Sequence, residues 1–227
     1  MKRITMCGRF NLRTDPHQLA ETFSLLREPI WSPRYNIAPM QPVLVVRQHE
    51  DRSRTADLLR WGLVPGWAAS LSVGSQMTVV KSETVATSRP FAPAFQQRRC
   101  IIPVSGFYVW ETIPGQKVKQ PWHIFPSQSP VFSLAGLWET WTTPDGTKVE
   151  TCAILTTAAN TFMSPIDDRM PVILSPQAVN DWLNPDAKTE ELQATLLPCP
   201  DDWLAREKIG RLINSTRNDS ADCLTPC

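Results

Sequence analysis

The sequence predicts an α+β fold: a single domain with a mostly antiparallel, barrel-like β-sheet and a few flanking helices. Three observations carry this. The chain has 227 residues, 42% of them apolar, enough to fill one sizeable core. It holds 21 prolines with short apolar runs between them, a pattern that favours strands and turns over long helices. Strands also outnumber helices, without the regular strand–helix alternation that a parallel sheet requires.

Taken in order, DPHQLAETFSLL (15–26) reads as a helix with Asp15 as N-cap and Pro16 in the first turn. Strands are expected at VLVVRQ (43–48), CIIPV (100–104), PWHIF (121–125), VFSLAGLWET (131–140), ETCAILTT (150–157) and PVIL (171–174). They alternate or run continuously apolar, as half-buried or fully buried strands do. SPQAVNDWL (175–183) repeats the first helix start with Ser175 and Pro176, and TEELQATLL supplies a third helix after Thr189. There is no internal repeat, so residues 1–227 form one domain, with 1–6 a candidate leader.

Composition narrows the function classes. Apolar runs such as 100–104 and 172–174 are too short to cross a bilayer, and MKRITM lacks the apolar stretch of a secretory signal. The expectation is a cytoplasmic protein with no membrane partner. With 23 Lys and Arg against 22 acids, any nucleic-acid binding must come from a local patch. The six cysteines (7, 100, 152, 199, 223, 227) lack a repeated C-x-x-C spacing, and no histidine lies near the Cys223 and Cys227 pair. Reduced thiols, no metal and no cofactor are expected.

Four local clusters stand out: MCGRF (6–10), RYNIAP (34–39), WGLVPGW (61–67) and DDRMP (167–171). Each sets an Arg, Trp or Asn beside Gly or Pro, in what reads as a loop on a rigid scaffold. Singly, each has an ordinary explanation. Trp61 and Trp67 fit core or lid positions, Arg34 and Arg169 fit surface ion pairs, and Asn36 fits a turn cap.

Jointly, the clusters resemble the SOS-response-associated peptidase family, the abasic-site processing proteins. The resemblance runs nearly end to end through MCGRF, RYNIAP, WGLVPGW, KSETVATSRPF, CIIPVSGFYVW, KQPW, AGLWE, TTAAN, DDRMPVIL and INSTRND (213–219). It implies single-stranded DNA containing abasic sites as the partner, a monomer, and Cys7 as the catalytic residue. In the family that cysteine becomes the N-terminus and traps the lesion as a thiazolidine.

That chemistry needs a free α-amine. An abasic deoxyribose opens to an aldehyde, the amine forms a Schiff base with loss of water, and the thiol of the same residue closes a five-membered ring. The amine titrates at about 8 and the thiol at about 8.5. A cysteine inside the chain has only an amide nitrogen, so Cys7 in MKRITMCGRF cannot close the ring. Lys2 blocks methionine removal from Met1, whereas Cys7 permits it from Met6. Translation from Met6, or removal of the leader by the protein itself, resolves the difficulty; the first is the simpler.

Three positions depart from the family pattern. Val79 stands at the family's asparagine, with Lys81 for its arginine; Val109 stands at its glutamate; Asp167 stands at its histidine. Neither valine offers a proton or a hydrogen bond. Asp167 can transfer a proton only if burial or Asp168 raises its pKa from about 4. Glu111, on the same side of a strand as Val109, is a candidate substitute. The resemblance further assigns Arg9, Arg34, Asn36, Pro39, Trp61, Trp67, Lys81, Arg89 and Arg169 to DNA binding, the cations on phosphates and the tryptophans stacked on bases.

Two rival readings stay open. One is a cysteine-dependent autopeptidase acting on the leader, although His17, His49 and His123 fall outside the motifs. The other is a non-catalytic DNA-binding or interaction protein that keeps only the fold.

Overall fold

The run VLVVRQ forms the middle of a closed ring of strands. In the computed structural model, which describes residues 8–227, β3 (Pro42–Gln48) pairs along its whole length with β4 (Arg54–Trp61). Hydrogen bonding continues from β3 to β6 (Arg99–Val104), to β9 (Phe132–Thr142) and to β10 (Lys148–Ala158). β10 then pairs with β4, in parallel, and closes a five-stranded barrel. Closure removes the edges that would otherwise expose unpaired backbone. Beyond the barrel, β10 carries β5 (Val79–Lys81) and β11 (Arg169–Pro171), and β9 carries β12 (Ile173–Leu174).

A second sheet packs against this barrel, in the order β13 (Leu204–Lys208), β8 (Gln120–Pro126), β7 (Gly106–Glu111), β1 (Phe10–Leu12), β2 (Arg34–Ile37). Its inner face contributes Phe10, Phe107, Val109 and Ile124 to one continuous core shared with the barrel. α1 (Pro16–Phe23), α2 (Ala92–Gln97), α3 (Pro176–Leu183) and α4 (Thr189–Ala194) flank the sheets. Asp15 and Ser175 cap α1 and α3 as their sequences predict, accepting from His17 N and Ala178 N. Among the described residues, no helix is long and apolar enough to cross a membrane.

The structure corrects several expectations. α1 ends at Phe23 rather than residue 26, because Ser24 turns left-handed at φ 53° and its N–H returns to Ala20 and Glu21 carbonyls. The strand expected over 171–174 is two strands, and Val172 is where the chain changes partner. Its N–H donates to Leu155 O on β10, and its carbonyl accepts from Ala135 N on β9. The four motif clusters, expected in loops, each contribute to a strand: Phe10 opens β1, Arg34–Ile37 is β2, Trp61 closes β4 and Arg169–Pro171 is β11. β1, β2 and β11 are only three or four residues long, and β4 is interrupted by charged residues. No local period could reveal them.

Candidate nucleic-acid interface and catalytic centre

Cys7 and Met6 lie outside the described residues, but the chain that follows them is fastened on both faces of the second sheet. Strand alternation turns Phe10 inward, paired with Ile37 and Phe107 and with its ring 5.0 Å from Trp61. Arg9 and Asn11 turn outward. Arg9 Nη1 donates to Asn36 Oδ1 at 3.0 Å and to Ile213 O at 2.7 Å, and its guanidinium lies 6.0 Å from the Trp110 ring.

Asn36 is fully buried. Its amide nitrogen donates to the carbonyls of Ile213, Ser215 and Asn218 at 3.3, 2.9 and 2.8 Å. Asp219 closes the same clamp from the other side, accepting from Tyr35 N at 2.6 Å, from Asn36 N at 2.8 Å and from Arg34 Nε. Burial acts to raise the Asp219 carboxyl, but Arg34 and the two backbone amides outweigh it and hold it below the ordinary carboxylate range. Arg9, the RYN of RYNIAP and INSTRND are thus one structural unit, in which the 213–219 segment covers the outer face of β1 and β2.

Beneath this cover sits a buried polar chain. Asn11 Nδ2 donates to Tyr108 Oη and to His123 Nε2, each at 3.0 Å, and Tyr108 Oη donates to Tyr35 O at 2.6 Å. His123 Nδ1 faces Glu207 Oε1 at 3.2 Å. A carboxylate only accepts, so Nδ1 carries the proton and Nε2 accepts from Asn11. Burial pushes His123 down to about 4, against the Glu207 hydrogen bond that would raise it. At neutral pH the contact is therefore a hydrogen bond to a neutral ring, not an ion pair.

The barrel, packed on the inner face of the second sheet, carries the remaining predicted residues. Val79 and Lys81 pair with Ile154 and Thr156 of β10, and Arg169 pairs with Ala158. Trp61 joins the barrel to the second sheet: its ring meets Phe10, and its Nε1 donates to Thr78 O at 2.8 Å, next to Val79. Asp167 sits in the turn before β11, where its Oδ1 accepts from Arg169 N at 3.2 Å. Burial first, then Asp168, pushes its carboxyl up, the direction that a proton-transfer role requires.

The predicted site residues divide accordingly. Trp67 is 62% exposed with the Arg89 guanidinium 5.6 Å from its ring, and Arg89 and Lys81 are both exposed. These three are free to meet a nucleic acid. Pro39 is half-buried at the bend where Met40 N donates to Trp61 O. Trp61 is corrected: at 0% exposure it offers a base no ring face, and it acts as a core bridge. Arg34, Asn36 and Arg9 are members of the clamp, Asn36 fully buried and the two arginines half-buried. Arg169 forms the ion pair that its ordinary reading offered: its guanidinium grips both Glu83 carboxylate oxygens and donates to Thr156 O at 2.7 Å.

Glu111 Oε2 accepts from Trp122 Nε1 at 2.8 Å, and Trp122 is the cross-strand partner of Val109. The carboxylate is therefore on the Val109 side but already holds an indole. Asp219 and Trp110 were missed as site-forming residues, although INSTRND carried the signal for the first. A cavity of about 300 Å³ lined by residues including Thr22, Ser129, Phe132, Leu174 and Trp203 contains none of the predicted residues. Among the described residues, no three His, Cys, Asp or Glu side chains converge as metal ligands.

Comparisons with known proteins agree with this architecture. The abasic site processing protein YoqW of Bacillus subtilis is 37% identical over 223 residues, covering 96% of this chain and 99% of that protein. The abasic site processing protein HMCES of Rattus norvegicus is 27% identical, covering 97% of this chain and 76% of that one. A crystal structure of a Bacteroides thetaiotaomicron protein superposes with a TM-score of 0.88 at 21% identity, over 97% of this chain and all of the other, which shows the shared fold. The family model of the SOS response associated peptidase (SRAP) matches residues 6–216. The chain belongs to the SRAP family.

Proposed function

We propose that this chain is a DNA-damage-response protein that binds abasic sites in single-stranded DNA as a monomer and traps them, slowly, through Cys7. The observation that carries the reading is the fastening of Arg9 and Phe10. Cys7 stands two residues ahead of an anchor that fixes the direction of the chain. Holding a nucleophile close to a bound lesion lowers the entropic cost of the bimolecular step. The match of the family model from residue 6 supports Met6 as the start that would leave Cys7 with a free amine. The names of the relatives support the substrate.

Trp67, Arg89 and Lys81 form the exposed DNA-binding group. Stacking on Trp67 contributes about 1 to 3 kcal/mol per base without sequence preference. Val79 and Val109 cannot transfer a proton, which leaves Asp167, with its raised carboxyl, as the acid–base group. General acid–base help is typically worth about 10² to 10⁴ in rate, so cross-linking is slow. The two valines also favour a second reading: a protein that holds DNA at abasic sites without bonding to it.

The test is a denaturing gel with a single-stranded oligonucleotide carrying one abasic site. Chain begun at Met6 gives a heat-stable shifted band that Cys7→Ala abolishes. Chain that retains residues 1–6 gives none. A band of equal strength from Cys7→Ala overturns the role of Cys7, and no band after prolonged incubation leaves the non-covalent reading.

A further inference from the structure

A cluster of cations and aromatic rings on the second sheet lies outside the motifs except for Trp122, the last residue of KQPW. Along β13, Arg206 and Lys208 point to one face while Glu207 between them points to the other and meets His123. The Arg206 guanidinium lies 5.2 Å from the Trp122 ring and 4.8 Å from the Phe162 ring, and Lys208 Nζ lies 5.3 Å from the Trp122 ring. Both cations are exposed, and among the described residues neither takes part in an ion pair. Exposed cations held over rings without a carboxylate partner leave their charge available.

The cluster is continuous with the candidate site at both ends. Trp122 is the cross-strand partner of Val109 and donates to Glu111. Arg206 Nη1 donates to Phe162 O at 3.0 Å, and Phe162 lies in the loop that leads to Asp167. We propose that Arg206, Lys208, Trp122 and Phe162 form a platform that binds the single strand beside the lesion, the two cations on backbone phosphates and Phe162 against a base. This rests on the proposed single-stranded DNA reading and adds an edge of the site that the motifs touch only at Trp122. Cations interleaved with rings are what a sequence-tolerant single-strand groove needs. An acidic peptide would use the cations and leave the rings without a role.

The test is the affinity of the full chain for a labelled oligothymidine lacking any lesion, measured by anisotropy across a salt series. Arg206→Gln with Lys208→Gln is expected to lower the slope of log K against log salt by about 1.4, from about 0.7 per single-strand phosphate. At 0.1 M salt that corresponds to roughly 25-fold weaker binding. Phe162→Leu keeps an apolar side chain and is expected to weaken binding with the slope unchanged. Parent-like affinity and slope in the double variant, while Trp67→Ala weakens binding, overturn the platform but not the proposed function, and would be the result for a surface suited to an acidic peptide. Absence of binding by the parent at low salt overturns both.

Discussion

Replacing Asn36 by alanine should open the clamp that joins the start of β1 to the 213–219 segment. The side chain is fully buried; its two amide protons donate to Ser215 O and Asn218 O, with Ile213 O a longer shared contact, and its oxygen accepts from Arg9. A neutral bond contributes about 1 kcal/mol net and one to a charged partner about 1.5 to 3. Ile213 O keeps Arg9 as a donor, so the loss is concentrated at Ser215 O, Asn218 O and the guanidinium. Together these give about 3 to 5 kcal/mol, a large share of a domain stability of about 5 to 15. Urea unfolding reads the change as a lower midpoint at unchanged slope. Asn36→Asp separates donation from shape: it still accepts from Arg9 but sets oxygen against three carbonyl oxygens, so it should be no more stable than Asn36→Ala. A loss under 1 kcal/mol for Asn36→Ala, or a parent-like Asn36→Asp, refutes the reasoning.

Three further outcomes are expected. His123 binds its proton at about 4 when folded and at about 6.5 when unfolded, so the unfolded state takes up the proton first as pH falls. Stability should then drop between pH 6.5 and 4 by up to about 3 kcal/mol; His123→Gln should flatten that dependence in urea titrations at pH 7.5 and 5, and an unchanged slope in the variant would count against it. Trp67→Ala should leave stability within about 0.5 kcal/mol while weakening single-strand binding by about 1 to 3 kcal/mol, whereas Trp61→Ala should cost about 3 to 5 kcal/mol of stability; thermal melts and anisotropy on the two variants decide it. Asp167→His should speed adduct formation at pH 7 by up to about 10²-fold, because an imidazole titrates near neutrality without help; single-turnover gels read the rate, and a slower variant would show that Asp167 is the better group here.

The barrel was legible because β3, β6, β9 and β10 are runs of apolar residues bounded by turns, and the caps of α1 and α3 sit in plain view as Asp15-Pro16 and Ser175-Pro176. β4 was missed because Arg54, Asp57 and Arg60 interrupt its pattern; Asp57 is satisfied by Arg47 of β3 at 2.9 Å, which no local window shows. Site residues were legible as motifs but not in their roles. Trp61 and Trp67 share one motif, yet β4 ends between them and the chain bends at Gly62. There φ is +132° and a Cβ would stand 2.6 Å from Gly74 O, so one indole enters the core and the other reaches solvent. Arg34, Asn36 and Arg9 looked like free polar groups because their partners, Asp219 and the carbonyls of residues 213–218, lie some 180 to 200 positions further on.

The most direct measurement of the central claim is the intact mass of the product formed with an abasic single strand. Amine, aldehyde and thiol combine with loss of one water, and ring closure from the Schiff base changes no mass. The account predicts one species equal to the chain beginning at Cys7 plus the oligonucleotide minus one water, with the adduct mapped to the Cys7 peptide. An adduct on a chain that still carries residues 1–6, or on a lysine, contradicts it.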